Sequence, residues 1–339
     1  EGGREHKVID KYRYVYFVIM FIIYLLIICF NSTIVCLIWI HKNLHEPMYI
    51  FIAALLLNSV LFSTNIYPKL LIDVLSEKQI MSYSACLFQY FIFYFLGTAE
   101  FLLLAAMSYD RYVSICKPLQ YPTIMRKRNI CIFLVLAWFL AACHIAIPTI
   151  LSAETKLCNF TLKGIFCNNA LYGLYCVRTS VITVYGVFAL FDLLILPFLF
   201  IIFTYTKILI IVYRSGREVR RKAAETCLPH LMVLIGYSCL CIYDIAIILI
   251  IAYRSGREVR RKAAETCLPH LMVLISFSSL SVYDIVIARV ESSFPKTARL
   301  IMTLQTIVYH SLFNPLIYGL KMKEISKHLN RLFCPARNI

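Results

Sequence analysis

The sequence predicts an all-α membrane protein, a seven-transmembrane helix bundle with one duplicated extra hydrophobic segment. Three observations predict it. The chain of 339 residues is 61% hydrophobic and only 15% charged, with a mean hydropathy of +0.77, so its apolar surface exceeds what one water-soluble core hides. Apolar runs of roughly 20 residues or more recur along the whole chain, long enough to cross a hydrocarbon layer about 30 Å thick as helices. One block of the sequence is then repeated almost verbatim.

The runs lie near 14–40, 48–74, 86–112, 129–151, 184–212, 227–252, 267–288 and 298–320. The formal net charge is +16, but the basic residues fall in short segments between the runs. The expected partner is therefore a lipid bilayer and not nucleic acid. Lys and Arg are retained on the cytoplasmic side, which places His41-Lys42, Arg126-Lys127-Arg128, Arg214 to Lys222 and the basic residues Lys321, Lys323, Lys327 and Arg331 inside. The mixed loops with Asp73, Glu77, Lys78, Glu154 and Lys156 then lie outside. This orientation predicts a multi-pass protein of the cell membrane, with residues 1–13 as an extracellular amino terminus, 14–320 as the helical domain and 321–339 as a cytoplasmic tail. The polar stretch before Tyr14 has no signal-peptide core. Either the start is missing, or the first helix is its own targeting signal.

Of the 14 cysteines, most sit in apolar runs as small hydrophobes. Cys86, Cys158, Cys167 and Cys176 fall on the outer side, where disulfides form, and four cysteines allow three connectivities. Asn159-Phe160-Thr161 in the same outer loop is a glycosylation acceptor pattern. Asn31-Ser32-Thr33 has the same pattern but lies inside the first apolar run. No motif supports catalysis, so the chain is not expected to be an enzyme, and its His residues are not at metal-ligand spacing.

The most informative segment is MSYDRYVSICKPLQY, residues 107–121, at the inner end of the third run. An Asp-Arg pair at a membrane interface is costly unless it faces protein or water, although charges at a helix end also snorkel to the headgroups. Leu44-His45-Glu46-Pro47-Met48-Tyr49 lies in the first inner loop, and Pro68-Lys69 closes the second span. Lys262-Ala263-Ala264-Glu265-Thr266-Cys267 with His270 opens a later span, and Asn314-Pro315-Leu316-Ile317-Tyr318 lies in the last. With these five motifs in order, the chain resembles the odorant receptor family of rhodopsin-like, G-protein-coupled receptors along nearly its whole length. Ser108 stands where that family usually has Ala.

The resemblance implies a receptor that binds a small-molecule odorant among the outer halves of its helices and activates a heterotrimeric, stimulatory-type G protein. It implies that Asp110 restrains Arg111, next to Tyr112, until the cytoplasmic helix ends part; a charge pair at an interface suits such a two-state switch. It also implies state-dependent contacts from Asn314 and Tyr318. Pro315 lacks the backbone donor and should bend the seventh helix. Cys86 would bond Cys167 and Cys158 would bond Cys176, forming a lid over the ligand, while Cys334 is a candidate acylation site.

Glu100 is a carboxylate in the middle of the third span, where burial without a partner is expensive. The resemblance pairs it with an Asp of the second span around a sodium ion, but that Asp position is Ser59 here, beside Asn58. Glu100, Asn58 and Ser59 are therefore a candidate sodium site, the alternative being a Glu100 that is protonated or hydrogen-bonded to Asn58 and Ser59. No other cofactor is expected. The ligand cavity should lie between spans three, five, six and seven. Its candidate residues are Phe93, Tyr94, Gly97 and Thr98 on one face of span three and Ser281, Ile285 and Arg289 on span six. Arg289 could pair bidentately with a ligand carboxylate or snorkel to headgroups.

Residues 208–247 recur at 248–287, with YRSGREVRRKAAETCLPHLMVLI identical from Tyr213 and from Tyr253. If both copies spanned, Arg254, Arg257, Arg260, Arg261 and Lys262 would lie outside, against the charge rule, and the tail would be exported. The expectation is that one copy fills the sixth position, the second by its link length to the seventh span, while the first is an apolar insert in the third inner loop. A non-signalling receptor relic or faulty gene model is the rival within this class. An eight-helix transporter is the rival outside it, but it would want relay residues beyond Glu100, Asp244 and Asp284.

Overall fold

The computed structural model describes residues 2–76, 78–162, 165–176, 180–214, 308, 311–312, 314–319 and 322–333. The sixth span, most of the repeated block, Ser281, Ile285, Arg289 and Cys334 lie outside the described residues. Helix α1 runs Gly2–Ile40, so the polar residues expected as the extracellular amino terminus are helical and continuous with the first span. Nothing between Arg4 and Arg13 breaks a helix, and propagation from an existing span avoids the cost of nucleation.

After the turn Lys42–Leu44, α2 runs Pro47–Leu75 with Pro47 in the first turn, where a missing amide proton costs nothing. The helix passes through Pro68 and Lys69 and ends one residue beyond the apolar run 48–74. Lys69 pairs with Asp73 one turn on and supports the last turns. Helix α3, Tyr83–Cys116, starts at an N-cap where Ser82 accepts from the Ala85 amide at 3.3 Å, a common way to satisfy the first free donors. The short α4, Tyr121–Ile124, and α5, Lys127–Ala153, follow.

The fifth span is α6, Ser180–Leu190, a π-helical turn Phe191–Ile195, and α7, Leu196–Arg214. Pro197 lies just past the wide turn; it lacks an amide proton, and its ring crowds the carbonyl of Leu193. α1, α2, α3 and α5 are each long and apolar enough to cross a membrane.

Residues 314–319 are helical, and the amphipathic α8, Lys323–Phe333, turns back against the inner end of α1. There the rings of His41 and His328 lie 3.8 Å apart. Gly319 permits this approach: a Cβ there would sit 3.2 Å from Leu329 and 3.3 Å from Ile34.

α3 is central, packing against α2, α5 and α7. An inner core gathers Ile52, Leu55, Leu103, Met107, Tyr318 and Ile325. An outer core gathers Met20, Phe62, Ile66, Tyr67, Leu96 and Phe166.

Candidate functional site

The inner end of α3 buries both members of the charge pair. Arg111 Nε donates to Asp110 Oδ2 at 2.9 Å, and a terminal guanidinium nitrogen reaches the same oxygen. The other carboxylate oxygen accepts from the Tyr121 hydroxyl at 2.9 Å. Burial first, and then the Asp110 charge, push the Tyr121 hydroxyl well above its ordinary value, so Tyr121 remains a donor at neutral pH. Tyr112 packs at the edge of the inner core. Asp110 thus joins Arg111 and Tyr121 through its two carboxylate oxygens. Tyr121 closes the 107–121 motif, but the sequence assigned it no role because an inner-loop tyrosine carries no chemical signal of its own.

A second polar cluster lies mid-membrane. Glu100 is fully buried, accepting from Asn314 Nδ2 at 2.8 Å and from Asn58 Nδ2 at 3.4 Å. The Asn58 amide orientation is fixed from both ends: Nδ2 donates to the Leu96 carbonyl at 3.0 Å, and Oδ1 accepts from Trp138 Nε1 at 3.4 Å. Ser59 Oγ accepts from Asn314 and donates to the Leu55 carbonyl. Ser63 donates to the Ser311 hydroxyl at 2.7 Å, and Asn31 donates to the Ser311 carbonyl at 2.9 Å.

The cluster tests the candidate sodium site. Asn58 and Asn314 turn N–H groups, not oxygens, toward the carboxylate, and Trp138 occupies the Asn58 oxygen. Sodium needs a shell of oxygens, so Glu100, Asn58 and Ser59 do come together but do not fit the ion. Of the alternatives the sequence left, the structure shows a hydrogen-bonded Glu100 with Asn58 as one donor. Ser59 does not donate to it, and Asn314 supplies the shorter bond. Pro315 and Tyr318 are buried one and four positions on.

On the outer side Cys86 is bonded to Cys167 and Cys158 to Cys176. The Cys167 amide also donates to Gln89 Oε1 at 3.0 Å. These ties hold Phe166 against Phe93, ring centroids 4.9 Å apart, while Phe62 approaches Phe93 from α2 at 5.1 Å. Tyr94 packs on Tyr90 at 4.7 Å. Of the four α3 candidates, Phe93 and Tyr94 thus belong to an aromatic wall beneath the outer loop. Phe166 and Phe62 in that wall were not legible, because single aromatics in an apolar chain are unremarkable. Gly97 faces open space, with nothing among the described residues within 4 Å of an added Cβ, and Thr98 is half-buried beside it. Asn159 is exposed, and its amide nitrogen donates to the Gly173 carbonyl at 3.1 Å.

Comparison with known proteins gives the same architecture a family. The family model described as "7 transmembrane receptor (rhodopsin family)" matches residues 30–318. Human olfactory receptor 2T27 is 34% identical over 227 residues, 66% of this chain and 72% of that protein. Human olfactory receptor 11A1 is 30% identical over 331 residues, 96% of this chain and 91% of that protein. Mouse olfactory receptor 4B13 is 37% identical over 227 residues, 65% and 72% respectively. The crystal structure of squid rhodopsin has the same fold, with TM-score 0.65 at 20% identity, covering 96% of this chain and 81% of that one. This is a family of membrane receptors and not an enzyme class. The chain belongs to the olfactory receptors, within the rhodopsin family of seven-transmembrane receptors.

Proposed function

We propose that this chain binds a small odorant in the outer half of the bundle, beside Gly97 and Thr98 and under the wall of Phe93, Tyr94 and Phe166, and activates a stimulatory-type G protein. The observation that carries the reading is the buried Arg111, held by an Asp110 that Tyr121 also engages. Release of a guanidinium with five donors at the inner surface offers the carbonyls of a docking helix strong partners. Ser281, Ile285 and Arg289 are proposed to complete the pocket from the sixth span.

The receptor is placed in the cell membrane with its amino terminus outside, Asn159 as its glycan site and residues 321–339 in the cytoplasm. The packing of α8 on the inner end of α1 supports this orientation. Five spans carry the chain from outside to inside at Arg214. A tail on that same side then requires one further pair of crossings, so a single copy of the repeated block spans.

The test is cyclic AMP production in cells expressing the chain with a stimulatory-type Gα, against a panel of odorants. Wild type responds to at least one odorant, and Arg111→Ala reaches the surface but does not respond. Full signalling by Arg111→Ala would remove the assigned role. The near-verbatim repeat favours a second reading, a receptor relic, and that reading gains if wild type reaches the surface and stays silent to every odorant.

A further inference from the structure

We infer that His144, Asp192 and Tyr185 form a second small-molecule site, between the fourth and fifth spans, that takes an aliphatic amine as its ammonium ion. His144 lies on α5 about 14 Å below its outer end, and Asp192 lies in the π-helical turn of the fifth span. Ionisable groups at such depth need partners. The Asp192 carboxylate is 38% exposed and the His144 side chain 22%. Their one mutual contact, Nε2 to Oδ2, is a long 3.4 Å.

Tyr185 fixes the proton on the ring. Its hydroxyl donates its only hydrogen to the His144 backbone carbonyl at 2.9 Å. Its oxygen also lies 3.3 Å from His144 Nδ1 and can only accept there, so Nδ1 carries the ring's hydrogen. In the neutral imidazole, Nε2 then turns a lone pair toward the carboxylate. Two acceptors face each other, and something with hydrogens must join them. A primary ammonium, with three donors and no acceptor, can join them, because two acceptors 3.4 Å apart both lie within about 2.9 Å of one suitably placed nitrogen. Binding forms hydrogen bonds and an ion pair with Asp192 and breaks no covalent bond.

The surroundings suit an alkyl tail. Phe188, one turn before Asp192, is 57% exposed. Leu140 and Ile147 flank His144 on its own face of α5, and both are exposed. The two polar acceptors thus border exposed apolar side chains on the lipid-facing side of the bundle, along which the alkyl tail of an amine lies. None of its residues is among those proposed to hold the odorant, so it stands or falls separately from signalling.

The test is thermal unfolding of the full chain purified in detergent, at pH 7.5, with hexylamine as the probe and hexan-1-ol as the uncharged control. Hexylamine should raise the midpoint of the wild type and hexanol should not. Asp192→Asn, checked for unchanged surface delivery and unfolding without amine, should weaken the hexylamine effect roughly tenfold or more in concentration. Tyr185→Phe keeps the carboxylate but frees His144 to move its hydrogen to Nε2 and satisfy Asp192 itself. It should also weaken the amine response, which a simple charge effect does not predict. Equal responses to hexylamine and hexanol, or a hexylamine response unchanged in both variants, would overturn the site.

Discussion

Asn314 donates a 2.8 Å hydrogen bond to Glu100, joining the seventh span to the third at the centre of the membrane. The bond does two jobs: it partners a carboxylate that lipid would not tolerate alone, and it fixes the height of the seventh span against α3.

Removing the acceptor is the first prediction. Glu100→Ala leaves the Asn314 and Asn58 amides without it and costs about 2–3 kcal/mol. Glu100→Gln keeps an oxygen for one of them and costs less. Thermal unfolding in detergent orders the three proteins wild type, Gln, Ala. An Ala variant as stable as wild type would show that the cluster contributes nothing.

Tyr121→Phe removes one hydrogen bond from Asp110 without touching Arg111. A bond of about 1 kcal/mol corresponds to roughly a fivefold shift in a two-state equilibrium. Basal cyclic AMP should rise by up to that factor at matched surface expression, with Tyr121→Ala no different in sign. A fall in basal signal would place Tyr121 on the active side of the switch.

Gly97→Leu fills the open space beside Thr98. The variant should fold and reach the surface like wild type, because a Cβ added there meets no described atom within 4 Å. Its response to any active odorant should fall at least about tenfold in potency, because the added group takes ligand volume. Unchanged potency across the panel would move the pocket away from this face of α3.

The docking of α8 should depend on pH. Burial is the main force lowering the His328 value below its ordinary 6.5, helped by His41, Arg331 and Lys327 and opposed by Glu324. The neutral ring is therefore the one that fits against His41 and Asn43. The docking contribution is complete above pH 6.5 and is lost as pH falls through the lowered His328 value. In purified protein, stability should drop as pH falls below about 6.5 more steeply for wild type than for His328→Leu. Parallel curves would show that His328 does not titrate on undocking.

Much of this was legible in the sequence, for physical reasons. Apolar runs long enough to span announced α1, α2, α3 and α5, and Asp110-Arg111 stood out as charges where lipid should be. The cysteine pairs came only through family resemblance, since spacing leaves three connectivities. The Asn31 to Ser311 and Ser63 to Ser311 bonds were not legible, because their partners lie 280 and 248 positions apart. Asn31, which matched a glycan pattern, is instead a buried tie between spans. The π turn was hidden too, since Pro197 signals a disturbance in the helix but not its form. The amino-terminal turns of α1 were missed because a polar stretch gives no span signal even when it continues a helix.

The most direct measurement is the side of the membrane on which the tail lies. An epitope added after Ile339 is probed by antibody in intact and in permeabilised cells. A seven-crossing receptor with one spanning copy of the repeated block leaves that epitope hidden until the cells are permeabilised. Staining of intact cells would mean that both copies cross, that α8 lies outside and that the chain has no inner surface of the kind a G protein requires.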